Sequence, residues 1–130
     1  MAPVAIIGLV GLGGMCGSIS RYLIQNIASV QTDRFYLTLA INIAGSLAIG
    51  IAWVLLTHFN AGRWANGLFV GGFLGGFTTF SAFSLDTVLL LKDGRAAEAL
   101  LYGGISVTGS ILACASGIYL TQLILERFRL

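Results

Sequence analysis

The sequence contains very little charge. Asp, Glu, Lys and Arg together make up 9% of its 130 residues, whereas hydrophobic residues make up 57% and the mean hydropathy is +0.93. Because soluble domains carry about 25% charged residues, this composition excludes a soluble domain and indicates a membrane protein. The net charge of +2 at pH 7 is too small to indicate nucleic-acid binding or a polybasic lipid-binding patch.

Residues that bind metals or carry redox chemistry are also scarce. The chain has two cysteines, Cys16 and Cys114, without a CxxC spacing, and a single histidine, His58. We expect both cysteines to be small buried apolar residues of membrane spans. The absence of a P-loop and of a His/Cys cluster argues against an enzyme.

Four runs without a charged residue account for most of the chain. Each is near or above the ~20 residues that an α-helix needs to cross the hydrocarbon core: 2–20, 35–57, 64–85 and 99–125. We therefore predict an all-α integral membrane protein with one four-helix domain over residues 1–130. Its spans are expected near residues 2–29, 35–58, 64–91 and 97–126, and the first run is interpreted as a retained span rather than a signal peptide.

The basic residues between the spans are divided evenly between the two sides of the membrane. One side would carry Arg63, Arg127 and Arg129, and the other Arg34, Lys92 and Arg95. Since Lys/Arg asymmetry fixes orientation, this tie predicts weak orientation. Two interpretations stay open: insertion of the same chain both ways up, or a single topology decided by one residue such as Arg21 or by the lipid.

A few polar residues lie deep within the predicted spans. Asn42 must find hydrogen-bond partners there, either on another helix or along a hydrated path. Tyr102, Ser106 and Ser110 recur every four residues, so they share one face of the fourth helix and favour a lined path. Arg21 either extends to an interface or adds positive potential to a water-filled vestibule.

The third run has an unusual sequence, "GGFLGGFTTFSAFSLD", from Gly71 to Asp86. Its segment "GGFTTF" combines glycines with β-branched residues, and we predict that the helix breaks there. Broken membrane helices are buried in protein or line a cavity, where their freed carbonyls and amides serve as ion ligands. We expect Asp86 to act as a helix cap or to make an interfacial contact.

Two aromatic rings follow the predicted break. Phe80 and Phe83 are three residues apart and share a helix face, with Ser81 and Ser84 beside them. Phenylalanine ring edges are electropositive and could hold a small anion, although ordinary aromatic core packing is the alternative. Upstream of the break, Gly67, Gly71 and Gly75 have the small-xxx-small spacing of close helix packing.

Three motifs in this order resemble those of the CrcB/Fluc family of fluoride channels. They are "GGMCGSISRY" (13–22), "INIAGSLAIG" (41–50) and "GFLGGFTTFSAFSLD" (72–86), and the resemblance covers essentially the whole chain. It implies a passive channel that exports fluoride through two pores at the interface of an antiparallel, dual-topology homodimer in a bacterial-type inner membrane. It further implies a fluoride pore lined by Phe80, Phe83, Asn42, Ser81, Tyr102, Ser106 and Ser110.

The resemblance also implies a sodium ion at the dimer axis, bound by the main-chain carbonyls of Gly75 and Thr78. It assigns Arg21 to the positive potential of the vestibule. One position departs from the family pattern, since Ala82 stands where a hydroxyl residue is usual. One pore donor is therefore expected to be missing.

Fluoride suits such a pore because a small, strongly hydrated anion needs hydroxyl, amide and ring-edge donors in place of water. Two other classes of membrane protein are the alternatives. A small dual-topology multidrug antiporter would need an acid in the first span, and residues 2–20 contain none. A non-transporting assembly subunit would explain the glycines but not the break or the hydroxyl face.

Overall fold

The computed structural model describes residues 2–28 and 33–128. Within these ranges all regular structure is helical, and four segments are long and apolar enough to cross a membrane. Helix α1 is Pro3–Ala28 and α2 is Arg34–His58. The prediction of four spans is confirmed, although residue 29 of the predicted first span and Arg129 of the charge count lie outside the described residues.

The third span consists of four successive pieces. A short helix, α3 (Gly62–Ala65), continues into a π-helical segment, Asn66–Leu74, and then into α4, Gly75–Phe77. Two extended residues follow before α5, Phe80–Lys92. The predicted break is therefore present, and the glycine-rich run before it adopts the wider π-helical winding that is frequent at functional sites.

The fourth span, α6, is Ala96–Phe128. A turn at Asp93–Arg95, with Gly94 at a φ of 75°, connects it to α5. Helix α6 packs mainly along α2, whereas the π-helical segment and α4 pack against α1. The two halves of the third span thus have different neighbours, since α5 lies against α6.

Glycines allow both of these helix pairs to approach closely. An added Cβ at Gly13 or Gly17 of α1 would overlap backbone carbonyls of the π-helical segment, and one at Gly50 or Gly117 would overlap the backbone across the α2–α6 contact. Glycine is therefore required at these crossings because only it leaves room for the neighbouring backbone.

The glycines of the third span that face α1 are only partly those with the small-xxx-small spacing. Gly71 and Gly75 contact only their own segment, whereas Gly67, Gly72 and Gly76 face α1. Gly67 and Gly72 lie five residues apart within the π-helical segment, whose hydrogen bonds also join residues five apart. Of the three glycines with small-xxx-small spacing, Gly67 therefore meets α1, whereas Gly71 and Gly75 do not.

The expectation of buried cysteines was wrong for Cys16. Its side chain is exposed, whereas that of Cys114 is partly buried, and both are free thiols. The exposed Cys16 side chain lines a surface cavity together with Leu68 and Phe73 of the third span.

Candidate functional site

The centre of the candidate site is the break at Thr78 and Thr79. Both residues have extended backbone, with ψ angles of 157° and 118°. The Thr78 hydroxyl donates to the Leu74 carbonyl at 2.9 Å. The Thr79 hydroxyl accepts a hydrogen bond from the backbone N–H of Ala82 at 3.2 Å, so Thr79 caps α5.

Asn42 of α2 binds the backbone on both sides of Thr79. The Thr79 N–H donates to Asn42 Oδ1 at 2.8 Å, and Asn42 Nδ2 donates to the Thr79 carbonyl at 3.0 Å. A helix break leaves peptide groups without intrahelical partners, and in lipid these groups must be satisfied by protein. The Asn42 side chain supplies two of the missing bonds.

Helix α1 holds the break from its other side. Ser18 Oγ and Arg21 Nε each donate to the Gly76 carbonyl at 3.3 Å. Arg21 is half-buried and reaches the C-terminal end of α4, where a positive charge is favourable. Its assignment to a vestibule stays a prediction.

A cavity of about 360 Å³ opens beside the break, between α2, α5 and α6. Five of the predicted pore residues lie on its wall together with Thr78 and Thr79: Asn42, Phe80, Phe83, Ser106 and Ser110. Residues that are far apart in sequence therefore share one chamber. A larger cavity, about 480 Å³, lies between the C-terminal ends of α2 and α6 and shares no wall residue with it.

A buried hydroxyl on the chamber wall lacks a protein partner within the described ranges. Ser106 is 6% exposed, and its Oγ makes no hydrogen bond among the described residues. A buried hydroxyl without a partner costs about 1–3 kcal/mol of desolvation. A buried polar group without a protein partner indicates a place where a ligand can bind, and a hydroxyl can donate a hydrogen bond to an anion.

The aromatic rings form a continuous series from the chamber into the protein interior. The Phe80 and Phe83 ring centroids are 5.3 Å apart, and Phe83 and Tyr102 are also 5.3 Å apart. Tyr102 in turn meets Phe35 edge to face at 5.6 Å. Phe80 is the exposed end of the series, with 76% of its surface accessible in the single chain.

Two predicted pore residues lie off the chamber wall. Tyr102 is 3% exposed, and its hydroxyl donates to Asp86 Oδ2 at 3.5 Å. The Ser81 hydroxyl lies 3.1 Å from that of Thr79 on the exposed side of the first turn of α5. Ala82 is buried and also lies off the wall, so the missing hydroxyl does not leave a gap in the chamber lining.

Asp86 is the centre of a polar cluster that the sequence did not reveal. It is 4% exposed and lies within α5, so it is not a helix cap. Thr38 Oγ1 donates to its Oδ2 at 2.7 Å, and Arg34 Nε lies 3.7 Å from its Oδ1. The only advance signal was the occurrence of an acid near the end of a charge-free run.

Charged residues close the α5–α6 end of the bundle. Arg95 forms two hydrogen bonds with Glu98, at 2.6 and 2.8 Å, and reaches Asp33 at 3.5 Å. The hydrogen bond with Glu98 raises the pKa of Arg95 above its ordinary value. The Arg95 guanidinium also lies 5.4 Å from the centroid of the Phe35 ring, which fixes this turn over the aromatic series.

Four membrane-spanning segments, an interrupted third span and a chamber define a multi-pass membrane protein with a small site between its helices. The chamber wall is mainly apolar and carries hydroxyl groups, the Asn42 amide and two phenylalanine rings. Residues 8–118 match the family model described as "CrcB-like protein, Camphor Resistance (CrcB)". The chain belongs to the CrcB family, and the resemblance seen in the three sequence motifs is confirmed.

Curated relatives match along nearly their whole length. A protein of Pseudomonas putida named "Fluoride-specific ion channel FluC" is 43% identical over 123 residues, which cover 92% of this chain and 98% of the relative. A protein of Paracoccus denitrificans with the same name is 46% identical over 110 residues, covering 84% and 88%. A third, from Sphingopyxis alaskensis, is 42% identical over 117 residues, covering 85% and 90%.

Proposed function

We propose that this protein is a passive, fluoride-selective anion channel of the bacterial inner membrane, and not an enzyme. The family and its relatives named as fluoride channels support this function. The structural observation that carries it is the partnerless Ser106 hydroxyl on a chamber that also exposes Ser110 and the two phenylalanine rings.

The chemistry of the chamber suits a small anion. A pore must replace the hydration shell of fluoride with donors. Ser106 and Ser110 supply hydroxyls, and the second Nδ2 hydrogen of Asn42 is not needed for its bond to Thr79. The edges of the Phe80 and Phe83 rings carry positive potential, which attracts an anion.

Passive export is sufficient for protection against fluoride. Hydrogen fluoride is a weak acid that crosses lipid as a neutral molecule and dissociates in a less acidic cytoplasm. An anion leak driven by the membrane potential then removes fluoride from the cell. No energy source besides the membrane potential is needed, and no carboxylate that couples transport to protons is needed.

The functional unit is proposed to be an antiparallel, dual-topology homodimer with two pores at its interface. The tied count of basic residues supports insertion both ways up. The exposure of Phe80 and the open side of the chamber support a second copy that completes its wall. Labelling of a terminal tag from both faces of intact vesicles tests this arrangement, because a single orientation would label from one face only.

A sodium ion at the dimer axis is proposed to bind the carbonyls of Gly75 and Thr78. Thr78 lies in the extended break and Gly75 in the single turn before it, where carbonyls lack helical partners. Unwound backbone carbonyls are suitable sodium ligands, and two copies would provide four of them. The Gly76 carbonyl already accepts from Ser18 and Arg21. Bound sodium would offset the cost of dehydrating an anion nearby.

Fluoride efflux from liposomes that contain the purified protein tests the function. Valinomycin releases the potassium countercharge, and an ion-selective electrode records fluoride, with chloride-loaded liposomes run in parallel. Rapid loss of fluoride with retention of chloride is the expected result. Retention of both ions by folded, reconstituted protein would refute the proposal and redirect tests to proton-coupled cation transport or an assembly role.

A further inference from the structure

The break in the third span is held by one face of α2. Asn42 and Gly45 are three residues apart and therefore lie together on that helix. Asn42 binds Thr79, and Gly45 lies against Thr78 and Phe77. Each of the two extended residues thus has its own contact on α2.

The contact of Asn42 with Thr79 fixes a peptide segment rather than a side chain. Its two bonds, 2.8 and 3.0 Å, engage the N–H and the carbonyl of the same residue. The amide orientation is unambiguous, because rotating it by half a turn would set Oδ1 against a carbonyl and Nδ2 against an N–H. Extended Thr79 is therefore held as if it were paired with a neighbouring strand.

Gly45 and Thr78 are in van der Waals contact and have complementary shapes. A Cβ added at Gly45 would overlap Thr78 Cγ2 and would lie 3.3 Å from Cδ1 of the Phe77 ring. Glycine is needed because the methyl group of Thr78 occupies the space that a side chain at position 45 would fill. The Thr78 hydroxyl is turned toward the Leu74 carbonyl instead.

The direction of the chamber rings depends on these contacts. Phe80 directly follows Thr79, and Thr79 caps the first turn of α5 through the N–H of Ala82. Any rotation of Thr79 would turn the start of α5 and with it Phe80 and Phe83, whose ring centroids are 5.3 Å apart.

We propose that Asn42 and Gly45 form a socket on α2 that sets the geometry of the broken span, so that both act as positioning residues for the pore rings. The effect on conduction rests on the proposed channel function, but the socket itself can be tested without it. Asn42 would then act on fluoride mainly through Thr79.

The first test uses amide hydrogen exchange at Thr79, read by NMR of the complete protein in detergent micelles. In Asn42→Ala the Thr79 amide is expected to exchange about tenfold faster or more, the factor for loss of one hydrogen bond. Ser106→Ala, which removes a chamber hydroxyl but no contact with the break, is the matched control and should leave Thr79 exchange unchanged. Asn42→Asp retains the acceptor for the Thr79 N–H but sets its second oxygen against the Thr79 carbonyl, so its exchange rate should lie between those of Asn42→Ala and the wild type.

Unchanged Thr79 exchange in folded Asn42→Ala would overturn the socket, because Asn42 would then be only a wall donor. If Asn42→Ala shows faster Thr79 exchange but fluoride efflux at the wild-type rate, Asn42 does not position the pore rings. If Asn42→Ala does not fold, the exchange rate of the Thr79 amide is measured in the wild-type protein alone. A rate as fast as that of an amide without a hydrogen bond would contradict the Asn42 contact.

The second test is a rescue. Gly45→Ala should reduce fluoride efflux about tenfold or more, as expected of overpacking by one carbon. Thr78→Ser removes only the overlapped methyl group, and in the double variant it should restore much of the flux that Gly45→Ala loses. Additive losses in the double variant would contradict the shape contact. Absence of efflux in the wild type would instead refute the channel function. The socket would then be tested by hydrogen exchange at Thr79 alone.

Discussion

Thr38 of α2 donates a 2.7 Å hydrogen bond to the buried carboxylate of Asp86 on α5. Thr38 is itself fully buried, and its hydroxyl also receives a 3.3 Å bond from Gln25 of α1. Three helices therefore meet at one hydroxyl. In a low-dielectric environment a carboxylate needs such donors, because burial without partners is costly.

Thr38→Val is expected to destabilise the protein by about 1–3 kcal/mol, because Asp86 loses its shortest hydrogen bond while the side-chain volume is kept. Unfolding of the detergent-solubilised protein by denaturant measures the change. Thr38→Ser, which retains the hydroxyl, is the control and should lose less. Equal losses in the two variants would mean that packing, not the hydrogen bond, carries the effect.

Ser106→Ala is expected to separate stability from function. Removing a buried hydroxyl without a partner should leave the free energy of unfolding unchanged or raise it by up to about 1 kcal/mol, whereas fluoride efflux should fall because a chamber donor is lost. Thr108→Val on the same helix is the control, since its hydroxyl bonds only to the Gly104 carbonyl. Efflux at the wild-type rate in Ser106→Ala would remove Ser106 from the pathway.

Phe80→Ile and Phe83→Ile are expected to suppress fluoride efflux while the protein stays folded and assembled. An aliphatic side chain fills similar space but lacks the positive ring edge that attracts an anion. Liposome efflux and size-exclusion chromatography measure the two properties. Normal efflux in both variants would show that the rings serve packing alone.

Gly117→Ala is expected to destabilise the protein by about 1–3 kcal/mol through overpacking, because the new methyl group would meet the Leu47 carbonyl of α2. Gly103→Ala lies on the same helix with no described atom within 4 Å of the added carbon. It should be neutral or stabilising by up to about 1 kcal/mol, the difference in helix propensity between glycine and alanine. A loss of stability in the Gly103 variant that matches the Gly117 variant would show that helix crossing is not the cause.

Several features of the site followed from sequence because they depend on local chemistry. The position of the break could be predicted, since Gly75 to Thr79 combine weak helix formers inside an apolar run. The shared face of Phe80 and Phe83, and that of Ser106 and Ser110, followed from helical periodicity. Both pairs lie on the chamber wall.

Contacts between distant segments could not be obtained in this way. The bonds of Asn42 to Thr79 span 37 residues, and that of Thr38 to Asp86 spans 48. Sequence indicated that Asn42 needed a partner but not which one, and it favoured a helix cap or an interfacial contact for Asp86. The π-helical winding of Asn66–Leu74 was also not predicted.

The sequence by itself determined that this protein is membrane-embedded, crosses four times and breaks its third span, because hydrophobic length and local backbone preference act within a segment. Only the tertiary structure decided that Asn42 binds the peptide groups of Thr79 at the break. It also decided that the buried Ser106 hydroxyl has no partner among the described residues and that Asp86 is buried beside Arg34. These depend on how helices cross, and crossing is set by the shapes of surfaces that meet only after the chain has folded.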